Sequence, residues 1–291
     1  MRAQTLGALR REGTAFLSDV SNSPDIDANV LLAYACGLPF AQLLANLHTD
    51  CTAEQLSSFE DLLAKRRAGM PVAYILGQRE FMSLPFVVTP DVLIPRPDTE
   101  LLVETILAQY ADVPHPRGLE IGVGSGCISV SLVVHGQITM TGVDISAAAL
   151  SVAAQNAAAN NVADYVQLIC GDLYAALDES MAHSFDFIVS NPPYIPSAEV
   201  DCLASDVREH EPRLALDGGT SGLDFYERLA ASGAKWLKPQ GMIFFEIGHD
   251  QKDAITHLLQ KYNWSDVSCM QDLSGHDRVI KSLNTGGNQR V

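Results

Sequence analysis

Gly118-Leu119-Glu120-Ile121-Gly122-Val123-Gly124-Ser125-Gly126 reads as a short apolar strand running into a glycine-rich turn. Glycines at alternate positions let a backbone turn tightly and approach a ligand at the mouth of a helix. The spacing is G-x-G-x-G, not the G-x-G-x-x-G of a dinucleotide fold, and alone it is a weak signal. Its weight comes from the chain downstream. Strand-like runs recur at 139–143, 166–170, 187–190, 242–246, 267–271 and 279–283, and helix-like runs lie between them, most clearly at 147–160 and 222–236. Such alternation predicts an α/β fold with a mostly parallel, doubly wound sheet and helices on both faces.

Upstream the pattern changes. Residues 1–75 predict a small helical domain, with apolar residues at helical spacing in 26–36, 43–47 and 53–67 and with Asp25 and Thr52 as N-caps. Residues 76–100 predict a β-hairpin linker. Phe81, Leu84, Phe86-Val87-Val88 and Val92-Leu93-Ile94 suit extended segments, and Pro85 and Pro90 suit edges or turns. A helix over 101–110 then opens after Arg96-Pro97-Asp98-Thr99-Glu100, so the α/β domain is expected to run over 101–291.

Composition narrows the class. The 291 residues include 19 Lys+Arg against 35 Asp+Glu, a formal net charge of −16. Residues 1–75 carry 6 basic and 8 acidic side chains, so most of the excess acid lies further along. Nucleic-acid binders usually carry basic patches, because neutralising phosphates supplies much of their affinity. The balance favours a protein or small-molecule substrate. No apolar run reaches the length of a membrane span, and no signal-peptide stretch follows Met1. The 6 cysteines are scattered without C-x-x-C spacing, and the 8 histidines show no ligand pattern. The expectation is a cytoplasmic protein with reduced thiols and no metal, acting as a monomer.

Site candidates gather where strands end. Gly122, Val123, Gly124, Ser125 and Gly126 form the turn after the first strand of the alternating region. The second strand ends in Asp144, whose carboxylate can accept both ribose hydroxyls of an adenosyl group; its alternative role is to cap the next helix. The third is followed by Gly171-Asp172-Leu173, suited to bonding and covering an adenine ring. All feed one crevice at the carboxyl ends of the strands. S-adenosylmethionine suits the crevice better than NAD: no pyrophosphate needs a full dinucleotide loop, and an acidic surround favours a sulfonium. Glu120 could assist there, or be a strand-end carboxylate satisfied by backbone N–H groups. Asn191-Pro192-Pro193-Tyr194 ends the fourth strand. The prolines stiffen the segment. Asn191 offers a side-chain carbonyl, and Tyr194 a flat face on which a planar group can stack.

This combination resembles the class I methyltransferases whose N-P-P-[YF] motif modifies a nitrogen on a planar group, among them adenine DNA, guanine RNA and glutamine methylases. Gly69-Met70-Pro71-Val72-Ala73-Tyr74-Ile75-Leu76-Gly77 and Val92-Leu93-Ile94-Pro95-Arg96-Pro97-Asp98-Thr99-Glu100 resemble the linker of the release factor glutamine methyltransferases. Glu211-Pro212, Leu216-Asp217-Gly218-Gly219, Gly222-Leu223, Glu246-Ile247-Gly248 and Asp272-Leu273-Ser274-Gly275-His276-Asp277-Arg278 extend the likeness over about 69–283. The glycine turn departs slightly, with Glu120-Ile121-Gly122-Val123-Gly124 where the family often has Asp-Leu-Gly-Thr-Gly.

The resemblance implies a Rossmann-like sheet with its last strand antiparallel. It further implies methyl transfer from S-adenosylmethionine to the side-chain nitrogen (N5) of the glutamine in the Gly-Gly-Gln loop of class I peptide-chain release factors. Asn191, Pro192 and Tyr194 would then be catalytic, residues 191–194 would hold the substrate, and Asn191 would also border the cofactor. A nucleic-acid amino methylase and a ribosomal-protein glutamine methyltransferase are the alternatives. Arg96 would either anchor substrate or pair with an acid. Glu211-Pro212 would order the loop after the motif, and 276–278 would lie in a turn before the last strand.

Overall fold

A computed structural model of the chain describes residues 4–285. In chain order its elements are α1 (Leu6–Leu17), α2 (Pro24–Cys36), α3 (Phe40–Ala45), α4 (Ala53–Arg67), α5 (Val72–Leu76), β1 (Gln78–Phe81), β2 (Leu84–Val87), α6 (Glu100–Gln109), β3 (Arg117–Ile121), α7 (Cys127–Gly136), β4 (Thr139–Asp144), α8 (Ala147–Ala159), β5 (Val166–Cys170), β6 (Phe185–Ser190), α9 (Ser197–Val200), α10 (Ser205–Arg208), α11 (Asp224–Gly233), β7 (Leu237–Glu246), α12 (Lys252–Lys261), β8 (Trp264–Gln271) and β9 (Asp277–Asn284). The chain divides into two compact units. One runs to Gln78 and takes in Ala204–His210; the other comprises Arg79–Leu203 and the chain from Glu211 onward.

In the helical unit, α4 starts with a capping box: Thr52 accepts from the Gln55 N–H, and the Gln55 side chain accepts from the Thr52 N–H. Asp25 does not cap α2. Pro24 supplies the fixed φ of the first helical residue, so the cap position falls on Ser23, and Asp25 sits in the first turn, where its charge complements the helix dipole. Leu9, Leu17, Leu31, Leu32, Leu43 and Phe59 form the core. Gly13 lets α1 lie against α4, since a Cβ there would stand 2.7 Å from the Phe59 ring. The helix α1 was not legible as a separate element in the sequence. Arg66, 7% exposed, bonds Asp27 at 2.7 Å and approaches Asp206 at 3.8 Å, which ties α10 to this unit.

In the other unit the sheet has the order β5-β4-β3-β6-β7-β9-β8. Parallel pairing joins β5 through β7, and β9 runs antiparallel to both β7 and β8. The sheet is covered on both faces. Ile188, Ile243, Phe245 and Ile280 enter one cluster, while Phe187, Val189, Phe244 and Val279 enter the other, because successive strand residues point to opposite sides. β1 and β2 form the hairpin, turning through Met82 and Ser83 with φ of 50° and 60°, as a two-residue hairpin turn requires. Residues 92–94 are not a strand. Pro90 and Pro95 bracket them and remove ladder donors, and the Ile94 N–H goes to the Glu211 carboxylate at 3.3 Å. No described helix is long and apolar enough to cross a membrane.

Candidate functional site

A cleft of about 410 Å³ opens at the carboxyl ends of β3, β4, β5 and β6. That size suits a nucleoside-sized ligand. The glycine turn forms one wall. Gly122, Gly124 and Gly126 all have positive φ, at 80°, 55° and 78°. At Gly126 the conformation also permits close packing: a Cβ there would stand 3.1 Å from Ala153 Cβ on α8. At Gly124 a Cβ would meet nothing within 4 Å, so the backbone is open to a ligand. Val123 contributes backbone to the wall, but its side chain packs beneath with Leu150 and Ala153. Ser125 is buried, and its carbonyl accepts from Asn156 Nδ2 at 2.8 Å; Asn156 also exchanges bonds with the backbone of Val87.

Asp144 is not the cap of α8. Ser146 holds that position and accepts from the Ala149 N–H at 3.1 Å. Asp144 instead bridges two backbone donors, the Gly124 N–H at 2.9 Å and the Ser146 N–H at 2.8 Å, one on each oxygen. An ionised carboxylate has about four acceptor positions, so each oxygen keeps capacity for a hydroxyl donor.

Leu173 has φ of 48° and borders the cleft beside Asp172. Asp172 pairs with Arg228 at 2.6 Å, and both side chains are half exposed. Glu120 is fully buried. One of its oxygens accepts from the Ser129 N–H at 3.1 Å and from the Ser129 hydroxyl, while Oε1 is buried with no partner. Burial pushes its carboxyl up to about 8 against the pull of the Ser129 bonds.

Opposite stands the proline turn. Asn191, Pro192 and Pro193 line the cleft. Tyr194 does not: its ring packs against the core cluster of Tyr226 and Phe245, and burial pushes its hydroxyl up to about 12. The segment is clamped from outside. The Ile195 N–H donates to Leu216 O at 3.1 Å, the Gly218 N–H to Ile195 O at 2.8 Å, and Gln251 Nε2 to Tyr194 O at 2.9 Å. Gly218 and Gly222 lie so close to residues 193–194 that a Cβ on either would clash with backbone. These contacts explain why 216–219 and 222–223 belong with the motif.

Arg96 resolves its two roles toward structure. It bonds Glu211 at 2.5 Å, and Glu211 is 5% exposed. That pair ties 94–96 to 211–212, and both segments border the cleft. Only His276 lies in the turn before the last strand: Asp277 and Arg278 already belong to β9, and Arg278 bonds Asp272 at 3.2 Å and Asp98 at 3.3 Å. The sequence did not single out Thr99, Leu214, Phe225 or Arg228, which also line the cleft. Thr99 was hidden by distance, since it meets Asn191 across 92 positions: Asn191 Nδ2 donates to Thr99 Oγ1 at 3.3 Å.

A family model described as the PrmC N-terminal domain matches residues 8–77, and one described as the methyltransferase small domain matches 96–218. A release factor glutamine methyltransferase of Caulobacter vibrioides is 38% identical over 260 residues, covering 89% of each chain. Its namesake in Geobacter sulfurreducens is 40% identical over 259 residues, covering 88% of each. A methyltransferase from Pyrococcus furiosus shares the fold, with a TM-score of 0.53 at 17% identity over 78% of this chain and 98% of that one.

Proposed function

The chain belongs to the release factor glutamine methyltransferases, and from that premise we propose that the cleft places a glutamine side-chain amide against Asn191 and Pro192 for N5-methylation. The substrate is the Gly-Gly-Gln glutamine of a class I peptide-chain release factor. The observation that carries this reading is the clamped, acceptor-rich turn at 191–193, facing a glycine turn and a bridging carboxylate across one cleft.

The residues fit S-adenosylmethionine. Gly122 and Gly124 leave open space where side chains would stand, Asp144 keeps acceptor capacity toward ribose hydroxyls, and the buried Glu120 Oε1 lacks a donor. Gly122, Gly124, Asp144, Asp172 and Leu173 would hold it, with Ser125 and Gly126 supporting the turn. S-adenosylmethionine supplies a methyl group activated by its sulfonium.

An amide nitrogen is a poor nucleophile because its lone pair is delocalised into the carbonyl. Asn191 Oδ1 and the Pro192 carbonyl accept the two amide N–H bonds, which orients the nitrogen and fixes one face of the amide. Orientation of this kind contributes up to ~7–11 kcal/mol to barrier lowering in favourable cases. No strong base is required, because the nitrogen becomes acidic once methylated. Tyr194, packed away from the cleft, holds the turn through its carbonyl bond to Gln251; stacking on the amide would require its ring to leave the core. Flanking glycines on the substrate suit a narrow approach that larger side chains would obstruct.

The test is mass spectrometry of the Gly-Gly-Gln peptide of a release factor after incubation with the protein and S-adenosylmethionine. One added methyl group on the glutamine is expected. Label found on DNA or ribosomal RNA alone would overturn the reading.

A further inference from the structure

Asn191 can serve as an acceptor only if its amide is turned the right way. The two ends of an Asn side chain have the same shape and opposite hydrogen-bonding character. Something must hold Nδ2 away from the substrate so that Oδ1 meets it. Clamping the backbone at 191–195 does not do this, because χ2 of Asn is a soft torsion.

The sheet register places a carboxylate beside it. β6 and β7 are parallel neighbours with Ser190 opposite Phe245, so the next residues, Asn191 and Glu246, stand side by side at the carboxyl ends of the two strands. Glu246 is 2% exposed. Thr99 and Asn191 are the polar side chains beside its carboxylate that favour the ionised form. Thr99 is itself 2% exposed, and its oxygen accepts from Asn191 Nδ2 at 3.3 Å, which leaves the Thr99 hydroxyl proton to donate to Glu246. An ionised carboxylate only accepts, so whatever faces it must be a donor. With Glu246 ionised, Nδ2 is held toward Thr99 and Glu246, and Oδ1 is left for the substrate.

We propose that Glu246 is a positioning residue for the methyl transfer: through Thr99 and by direct contact it orients the Asn191 amide so that Oδ1 faces the glutamine. The proposal rests on the glutamine-amide reading and gives a role to Glu246, which the segment Glu246-Ile247-Gly248 marks without assigning one.

Burial pushes Glu246 up to about 7; Thr99, the charge of Arg278 and Asn191 pull it down, while Asp98 pushes it further up. The other groups facing it are the phenols of Tyr194 and Tyr226 and the thiol of Cys127, all held neutral by burial. Arg278, bonded to Asp98 and Asp272, stays charged throughout. Glu246 Oε2 is buried without a partner, so protonation there creates a donor with nowhere to point except into the site or its packing. As the pH falls through about 7 the acceptor-only character is lost, and with it the bias on Asn191.

The experiment measures kcat and KM on a release factor, and the side-chain amide NMR signal of Asn191, across the neutral range for the parent protein, Glu246→Gln, Thr99→Val and Thr99→Ser. The parent should show a kcat that falls on the acid side of neutrality, with the Asn191 amide signal shifting over the same range. Glu246→Gln should abolish both pH dependences and lower kcat about 10-fold or more, with KM for S-adenosylmethionine unchanged. Thr99→Val should lower kcat similarly, and Thr99→Ser should restore it. A Glu246→Gln protein with the parent's kcat and pH profile would overturn the proposal while leaving the glutamine reading intact. So would an Asn191 signal that ignores pH in the parent. If the parent methylates no glutamine, the reading itself fails; the NMR titration, which needs no turnover, still decides whether Glu246 governs Asn191.

Discussion

The glycine turn at 122–126 and the proline turn at 191–194 face one cleft from adjacent parallel strands, β3 and β6, yet they hold their shapes by different means. The glycine turn exploits backbone freedom: positive φ at Gly122, Gly124 and Gly126, with the Gly124 N–H donated to Asp144. The proline turn removes freedom. Its φ values are preset at two prolines that carry no N–H, and Leu216, Gly218 and Gln251 pin it from behind. The difference matches two tasks. Enclosing a cofactor needs close backbone approach, whereas presenting acceptors to an unreactive amide needs groups that do not move.

The sharpest way to break the comparison is Asn191→Ala. If the proline turn acts in chemistry and the glycine turn in binding, kcat should fall about 100- to 1000-fold, the scale of losing one preorganised hydrogen-bonding group. Affinity for S-adenosylmethionine by calorimetry should stay within about 2-fold, because Asp144 and the glycines are untouched. Lost affinity with normal kcat would reverse the assignment of the two turns.

The second test asks whether the glycine turn needs glycine for backbone or for space. Gly126→Ala meets both demands at once, with φ of 78° and Ala153 Cβ 3.1 Å away. It should destabilise the protein by about 2 kcal/mol in denaturant titration, since a left-handed non-glycine residue alone costs ~1–2 kcal/mol. Gly124→Ala meets open space, so it should cost about 1 kcal/mol of stability and act mainly on cofactor affinity. Equal destabilisation by the two would show that the contact with α8 does not matter.

How much of this was readable beforehand follows the same division. Strand–helix alternation is a local pattern, so the sheet and its parallel core were legible, and β5 fell on 166–170 as expected, whereas the antiparallel β9 was implied only by the family resemblance. β7 starts earlier than its apolar run, at Leu237, because Lys238-Pro239-Gln240-Gly241 lies in the bulged part of its pairing with β6. Glycine and proline motifs announce themselves because the backbone demands those residue types. The partners that give them meaning do not. Thr99 and Glu246 reach Asn191 only through the fold, as Glu211 reaches Arg96 across 115 positions. Tyr194 differs from its sequence expectation for the same reason: an aromatic after two prolines suits a stacking face, and only the packing reveals that its ring belongs to the core.

Asp144→Asn should have a smaller effect than either turn substitution. It keeps the shape and one acceptor oxygen but loses the charge that draws the Gly124 N–H, the Ser146 N–H and ribose hydroxyls together. Cofactor affinity should drop about 10-fold, in line with ~1.5–3 kcal/mol for bonds to charged groups partly retained by the amide. Unchanged affinity would remove Asp144 from the cofactor wall and leave it as a brace for the glycine turn.

The smallest effect is expected at the cleft's outer edge. Asp172 and Arg228 lie 2.6 Å apart, but each side chain is 50% exposed. Such pairs contribute ~0–1 kcal/mol and weaken with salt. Arg228→Ala should therefore shift stability by less than about 0.5 kcal/mol. It should also leave S-adenosylmethionine affinity unchanged or slightly raised, because the Asp172 carboxylate is released to accept from an adenine amino group. A drop of more than about 10-fold would mean that Arg228, not Asp172, meets the ligand at this edge, since a charged hydrogen bond is the one loss there large enough to produce it. The cofactor side would then hold its ligand with a mobile cation as well as with backbone, and the contrast with the clamped turn at 191–194 would widen.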